Sequence, residues 1–174
     1  MRKILVPVRG DGKGDNVFAH AVALARGFNA HVQVTHCRSR PEDLIPYGVA
    51  VSPEMKKQII DQSTEILNIQ EQGLRDEITA LAKANGAEMA EKNDRKKVTV
   101  SFIEEQGRQI DVIRHYGLIS DMTAVAKPDR DRNIGTNTLQ AALFSTGRPV
   151  MMCPEPKDKL PKQLGKNIAI AWDG

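Results

Sequence analysis

Apolar and polar residues alternate along this chain in two rhythms. "KILVPV", Lys3 to Val8, is a short apolar run bounded by the glycine-rich "RGDGKGD", and predicts a buried strand followed by a loop. From Asp15, expected as the N-cap, the apolar positions Val17, Ala21, Leu24, Ala25 and Phe28 recur at helical spacing, with Gly27 and Asn29 as stop signals. "HVQVTHC" then alternates Val32, Val34 and His36 with polar neighbours, which predicts a second strand. Strand, helix, strand is the opening of a parallel sheet.

Ser52 followed by Pro53 is the pair expected at a helix start. The pattern that follows carries Ile59, Ile60, Ile66, Leu67, Leu74, Ile78 and Leu81 on one side and ends at Asn85 and Gly86. At 1.5 Å per residue such a helix reaches roughly 50 Å, so a bend near Gly73 is expected. "AEMAEKNDRKK" reads as a charged surface connection, "VTVSFIE" as a period-two strand and "GRQIDVIRHYG" as a short helix. "DMTAVA", Asp121 to Ala126, predicts a central strand, Thr136 to Phe144 a helix, and "RPVMMC" a final strand.

Five strands alternating with four helices predict an α/β domain over residues 1–154, a doubly wound open parallel sheet flanked by helices. Ligands in such sheets bind at the carboxyl ends of the strands, so the positions to watch follow Val8, His36 and Ala126. Residues 155–166 read as a proline- and lysine-rich linker. Beyond it, "NIAIAWDG" (167–174) parallels "KILVPVRG", and reads as an extra edge strand or the start of a second copy.

Composition narrows the function. The chain has 174 residues, 40% hydrophobic and 27% charged, and no apolar run approaches the ~20 residues that span a bilayer, so a cytoplasmic protein without a membrane partner is expected. A net charge of +3 invites a nucleic-acid reading, but basic and acidic residues interleave, and aromatics at 4% leave few stacking platforms; no nucleic-acid partner is expected. Cys37 and Cys153 are too few for a disulfide framework or a paired-cysteine zinc site, and are expected to pack as small apolar residues.

The candidate chemistry is sparse. His36 and Cys37 end the second strand, yet no other histidine or cysteine has usable ligand spacing, and no metal site is expected. His20 and His115 have no visible catalytic partner. "VRGDGKGD" holds glycines and Lys13 without the G-K-[ST] order of a Walker loop, and reads as a mobile rim loop. "EDLIPYGVAV" reads as a lid or a subunit contact. "AVAKPDRDRNIGTNTL", Ala124 to Leu139, is the informative stretch, because it joins a strand to a helix where a doubly wound fold cradles phosphate.

These pieces in order resemble the universal stress protein family over nearly all of Lys3 to Pro154: "KILVPV" and its loop, "FAHAVALARGFNA", "HVQVTHC", Gly107 with Ile110 and Val112 ahead of "SDMTAVA", and "GTNTLQAALFSTGRPVMMCPEP". The resemblance implies the adenine nucleotide α-hydrolase-like fold, a homodimer or a tandem-domain partner, and pairing through the last strand "PVMMC". It implies also that nucleotide-binding members hold ATP through G-x2-G-x9-G-[ST] and an aspartate ending the first strand. Here Gly135 and Thr136 match the final pair, whereas Ala126 and Asp129 replace the two glycines. Five residues separate Asp129 from Gly135 where the motif has nine, and Arg9 replaces the aspartate, although Asp173 keeps one in the tail.

An alanine is unfavourable where glycine served a positive φ or a close backbone approach, and Asp129 would set a carboxylate against phosphate. Lys127, Arg130 and Arg132 offer compensating charge-assisted bonds. The expectation is therefore a non-enzymatic stress-response or regulatory protein with a degraded nucleotide loop whose charges pair on the surface. Its alternative is an adenine-nucleotide switch, binding ATP or AMP with Mg²⁺ through Val8, Arg9, His36, Ala126, Lys127, Gly135 and Thr136, with at most slow hydrolysis. An enzyme of the wider α-hydrolase-like group would need H-x-G-H or S-G-G-x-D-S, and neither occurs.

Overall fold

The computed structural model describes residues 1–9, 14–45, 51–93, 95–129, 131–155 and 160–172. Its elements are β1 (Lys3–Val8), α1 (Gly14–Ala25), β2 (His31–Arg38), α2 (Pro53–Ala84), β3 (Glu88–Met89), β4 (Thr99–Gln106), α3 (Gln109–Leu118), β5 (Met122–Ala126), α4 (Thr136–Ser145) and β6 (Val150–Cys153), with a 3₁₀ turn at Pro41–Leu44. All strand pairs are parallel, in the order β3-β4-β2-β1-β5-β6. Helices flank both faces, as the α/β alternation requires.

The register explains the two cores. Ile4, Val6 and Val8 of β1 share a face with Val32 and Val34 of β2 and with Val100 and Phe102 of β4, and they meet Phe18 and Val22 of α1 and Leu74 and Ile78 of α2. The opposite face, under α3 and α4, buries the smaller group Ile113, Val125, Ala141 and Ala142. At the start of α2, Met55 N donates to Ser52 Oγ at 3.2 Å, the cap that the Ser-Pro pair predicts.

Several expectations are corrected. The sheet has six strands, because Glu88 and Met89 within the expected charged connection pair with Thr99 and Val100; two residues carry no readable periodicity. α2 is helical throughout Pro53–Ala84, so a bend at Gly73 would leave its ladder intact, and an added Cβ there would meet nothing within 4 Å. A solvent-facing glycine weakens a helix by about 1 kcal/mol without breaking its hydrogen-bond ladder. Ile66 and Phe28, expected on buried faces, are 56% and 52% exposed. Asp15 lies inside the first turn of α1 and does not cap it. Residues 167–172 form neither helix nor strand, and Ile168, Ile170 and Trp172 are exposed: alternation favours a strand only where a neighbouring strand is available to pair. Residues 10–13 of the rim loop, 46–50 of the expected lid, Arg130, 156–159 of the linker and Asp173 lie outside the described residues.

Candidate functional site

The strand order reverses at β1, which has β2 on one side and β5 on the other. Connections leaving β1 and β5 diverge there and open a crevice at their carboxyl ends. Val8, Arg9, Ala126, Lys127 and Gly135, all singled out from the sequence, line one cavity at this place. His36 and Thr136 are not among its lining residues. His36 sits beyond β1 in register with Val8, its Nδ1 3.4 Å from the Val8 carbonyl, and burial holds its pKa below the usual imidazole value. Thr136 opens α4, but the side chain that reaches the cavity is Thr138, two residues on.

Thr138 was not picked out from the sequence. It is buried, and its hydroxyl has no hydrogen-bond partner. Counting from the Gly-Thr pair into the first turn would have found it, since the first N–H groups of a helix and the side chains beside them face outward from its end. Gly135, the N-cap, has φ 91°, and a Cβ there would lie 3.4 Å from Pro128 Cα. That left-handed conformation favours glycine. The positive pole of α4, Lys127 and Arg9 together give the cavity an anion-seeking character.

The loop ahead of Gly135 is folded onto itself. Asp129 N donates to the Ile134 carbonyl at 2.9 Å and Ile134 N returns a bond to the Asp129 carbonyl at 3.0 Å. The Asp129 carboxylate accepts from Arg132 N at 3.1 Å and from Arg132 Nε at 2.8 Å. Lys127 Nζ lies 3.2 Å from Glu155 Oε1. The amides of Asp129, Arg132 and Ile134 and the cations of Lys127 and Arg132 are thus engaged locally, and the Asp129–Arg132 and Lys127–Glu155 pairs are surface ion pairs of the kind expected here. The cavity left between the elements is about 30 Å³, room for about one water and far below the ~300 Å³ at which ligand pockets begin.

A second charged group, unforeseen from the sequence, lies beneath α2 on the same edge of the sheet. Arg38 at the end of β2 is 3.6 Å from both Glu71 of α2 and Glu104 of β4, and Arg75 lies 3.3 Å from Glu71 with its guanidinium 4.9 Å from the Phe102 ring centre. Burial, followed by the neighbouring Glu71 carboxyl, raises Glu104 to about 7, while Glu71 is held below the usual carboxylate value by Glu104 first and then by Arg75 and Arg38. The signal was present in the pattern: Glu104 follows Val100 and Phe102 on the buried face of β4, and Arg38 follows Val34 and His36 on β2. Among the described residues no three His, Cys, Asp or Glu side chains converge in a metal-binding group, and no helix is long and apolar enough to cross a membrane. Cys153 packs in the core and Cys37 is half-buried, both as free thiols.

No protein-family model and no curated protein matches the sequence. Solved structures do. The chain is similar to the universal stress protein UspA from Lactobacillus plantarum at 13% identity, covering 87% of this chain and 97% of that one, with a TM-score of 0.58. It is similar to the hypothetical protein MJ0577 at 13% identity, over 91% and 98% of the two chains, with a TM-score of 0.62. A universal stress protein family protein from Arabidopsis thaliana, with AMP bound, matches at 14% identity over 92% and 96%, with a TM-score of 0.54. The chain has the fold of universal stress proteins.

Proposed function

We propose that this chain is a non-enzymatic regulatory protein of the universal stress type, which works through contact with a second copy or a tandem-domain partner. One observation carries the reading: the loop between β5 and α4 closes on itself through the paired backbone bonds of Asp129 and Ile134. A triphosphate would have to displace those bonds and the Asp129–Arg132 pair before meeting the amides of Asp129, Arg132 or Ile134. The contact surface in this reading is the edge strand β6, which bonds only β5 among the described strands and leaves Met152 exposed.

The second reading, an adenine-nucleotide switch, is favoured by Gly135, whose left-handed φ and position at the start of α4 retain the final element of a phosphate cradle. The AMP of the Arabidopsis neighbour lies in a protein of this fold. Calorimetric titration of Mg²⁺-ATP and of AMP into nucleotide-free protein separates the two. Absence of binding at millimolar nucleotide, with a dimer by light scattering that Met152→Lys dissociates, supports the first. Micromolar binding lost on joint substitution of Gly135 and Thr136 overturns it in favour of the switch.

A further inference from the structure

The amino ends of the strands hold an open groove, with polar side chains on its floor, that this reading does not use. Parallel sheets covered on both faces are built from near-continuous apolar strands. On the α3 side of this one, β2 presents His31, Gln33 and Thr35, and β4 presents Thr99 and Ser101. α3 lies against β1 and β2 and α4 against β5 and β6, so neither helix packs broadly on the amino-terminal part of β4, where Ser101 is partly exposed beside the buried Thr99. A cavity of about 420 Å³ stands over it, within the size range of small-molecule sites.

His31, Gln33 and Ser101 form the floor of this cavity, and Arg2, Lys3 and Lys92 stand at its rim. The His31 ring bridges two hydroxyls, Nδ1 to Thr99 Oγ1 and Nε2 to Ser101 Oγ, each at 2.9 Å. That fixes the ring in place. Gln33 is 2% exposed, and its Nε2 donor has no acceptor. A buried amide N–H without a partner is unfavourable unless something supplies an oxygen. Among the described lining residues three cations meet one acidic group, Glu91, and the ion pairs found among the described residues hold none of the three side chains, while the Asp121 carboxylate accepts from the backbone N–H groups of Arg2 and Lys3 beside them. The Lys3 ammonium is close enough to His31 to act with burial in keeping that imidazole neutral. Ile103 and the Tyr116 ring supply an apolar wall.

We propose that this cavity binds a small organic anion, one carboxylate or phosphate oxygen accepting from Gln33 Nε2 and its charge facing Lys3, Arg2 and Lys92. The cations at the rim favour an anion over a metal ion, and the hydrogen-bonding groups of the floor favour a ligand that carries an oxygen. The site lies at the amino ends of β1, β2 and β4, away from the crevice near Gly135, so it stands whether or not that crevice takes a nucleotide.

The test is an NMR titration of the ¹⁵N-labelled full chain with sodium succinate and, separately, sodium phosphate, at constant ionic strength. Saturable shifts at the Gln33 side-chain amide and at Ser101, with Gly135 unmoved, are expected with at least one probe; the probe that saturates first tells carboxylate from phosphate chemistry. Lys92→Glu, a reversal of an exposed rim charge, is expected to weaken binding roughly tenfold or more. Gln33→Leu is expected to abolish it, and Ser101→Ala serves if that variant fails to fold. Shifts that stay linear with both anions to ~50 mM, or saturable binding unaffected by Lys92→Glu and by the floor variants, would overturn the assignment.

Discussion

Glu104→Gln should stabilise the protein at pH 8 and leave it nearly unchanged at pH 4. Glu104 is raised from 4.5 to about 7 by burial first and by Glu71 second, with Arg38 opposing at 3.6 Å. A carboxyl whose folded pKa lies above its unfolded value binds more protons in the folded state, so stability falls as pH rises between the two values. Below about 4.5 the group contributes nothing to the difference; above about 7 the folded protein carries the full penalty of a buried carboxylate beside a second one. At about 1.4 kcal/mol per tenfold in proton affinity, the ceiling is roughly 3 kcal/mol. Glu71 moves the other way and the two carboxyls titrate as a pair, which returns part of that penalty, so a gain of about 1–2 kcal/mol is expected at pH 8. Glutamine keeps the shape of the protonated acid without its charge. Urea unfolding of both proteins at the two pH values reads the effect as a shift in midpoint at constant slope. A variant less stable than the parent at pH 8, or equally shifted at both pH values, would refute the reasoning and leave Glu104 as an ion-pair partner of Arg38.

Other consequences follow from single contacts. Gly117→Ala places a Cβ 2.4 Å from Thr146 Cγ2 in a site where Thr146 is buried and bonded to the Ala142 carbonyl, so a loss of about 1–3 kcal/mol is expected despite the better helix former; unchanged thermal unfolding would contradict the packing of α3 on α4. Gly135→Ala, at φ 91° and against Pro128, should lose about 1–2 kcal/mol in the same assay, and a neutral result would mean that the loop relaxes away from this conformation. Burial raises Cys153 to about 12, and burial followed by the Asp111 and Glu105 charges raises the half-buried Cys37. A thiol reagent should therefore label Cys37 slowly in the native protein and Cys153 only on unfolding; rapid native labelling at Cys153 would place β6 outside the core.

Strong, repeated local patterns determined the elements of this protein. The apolar alternation of β1, β2 and β4, the Ser52–Pro53 start and the Gly-Thr opening of α4 are set by steric and capping preferences within a few residues, and the structure keeps each of them. The sheet class followed, because alternating strands and helices leave few other ways to cover both faces. Five of the seven residues singled out for the crevice meet there for the same reason: the ends of β1 and β5 are neighbours in any such winding.

Tertiary structure decided what depends on partners distant in sequence. Met89 is a strand residue only because Val100 lies beside it, and Ile168 and Ile170 are not, because no strand does. His36 is held away from the cavity by the width of β1, and Thr138 enters it through the rotation of α4. Arg38, Glu71 and Glu104 come from three elements and become one charged group only when α2 lies over β4. The loop's own state was equally hidden. Its charges were legible as residue types, but whether Asp129 faces a phosphate or Arg132 is settled by which backbone amides remain open once Ile134 has paired with it.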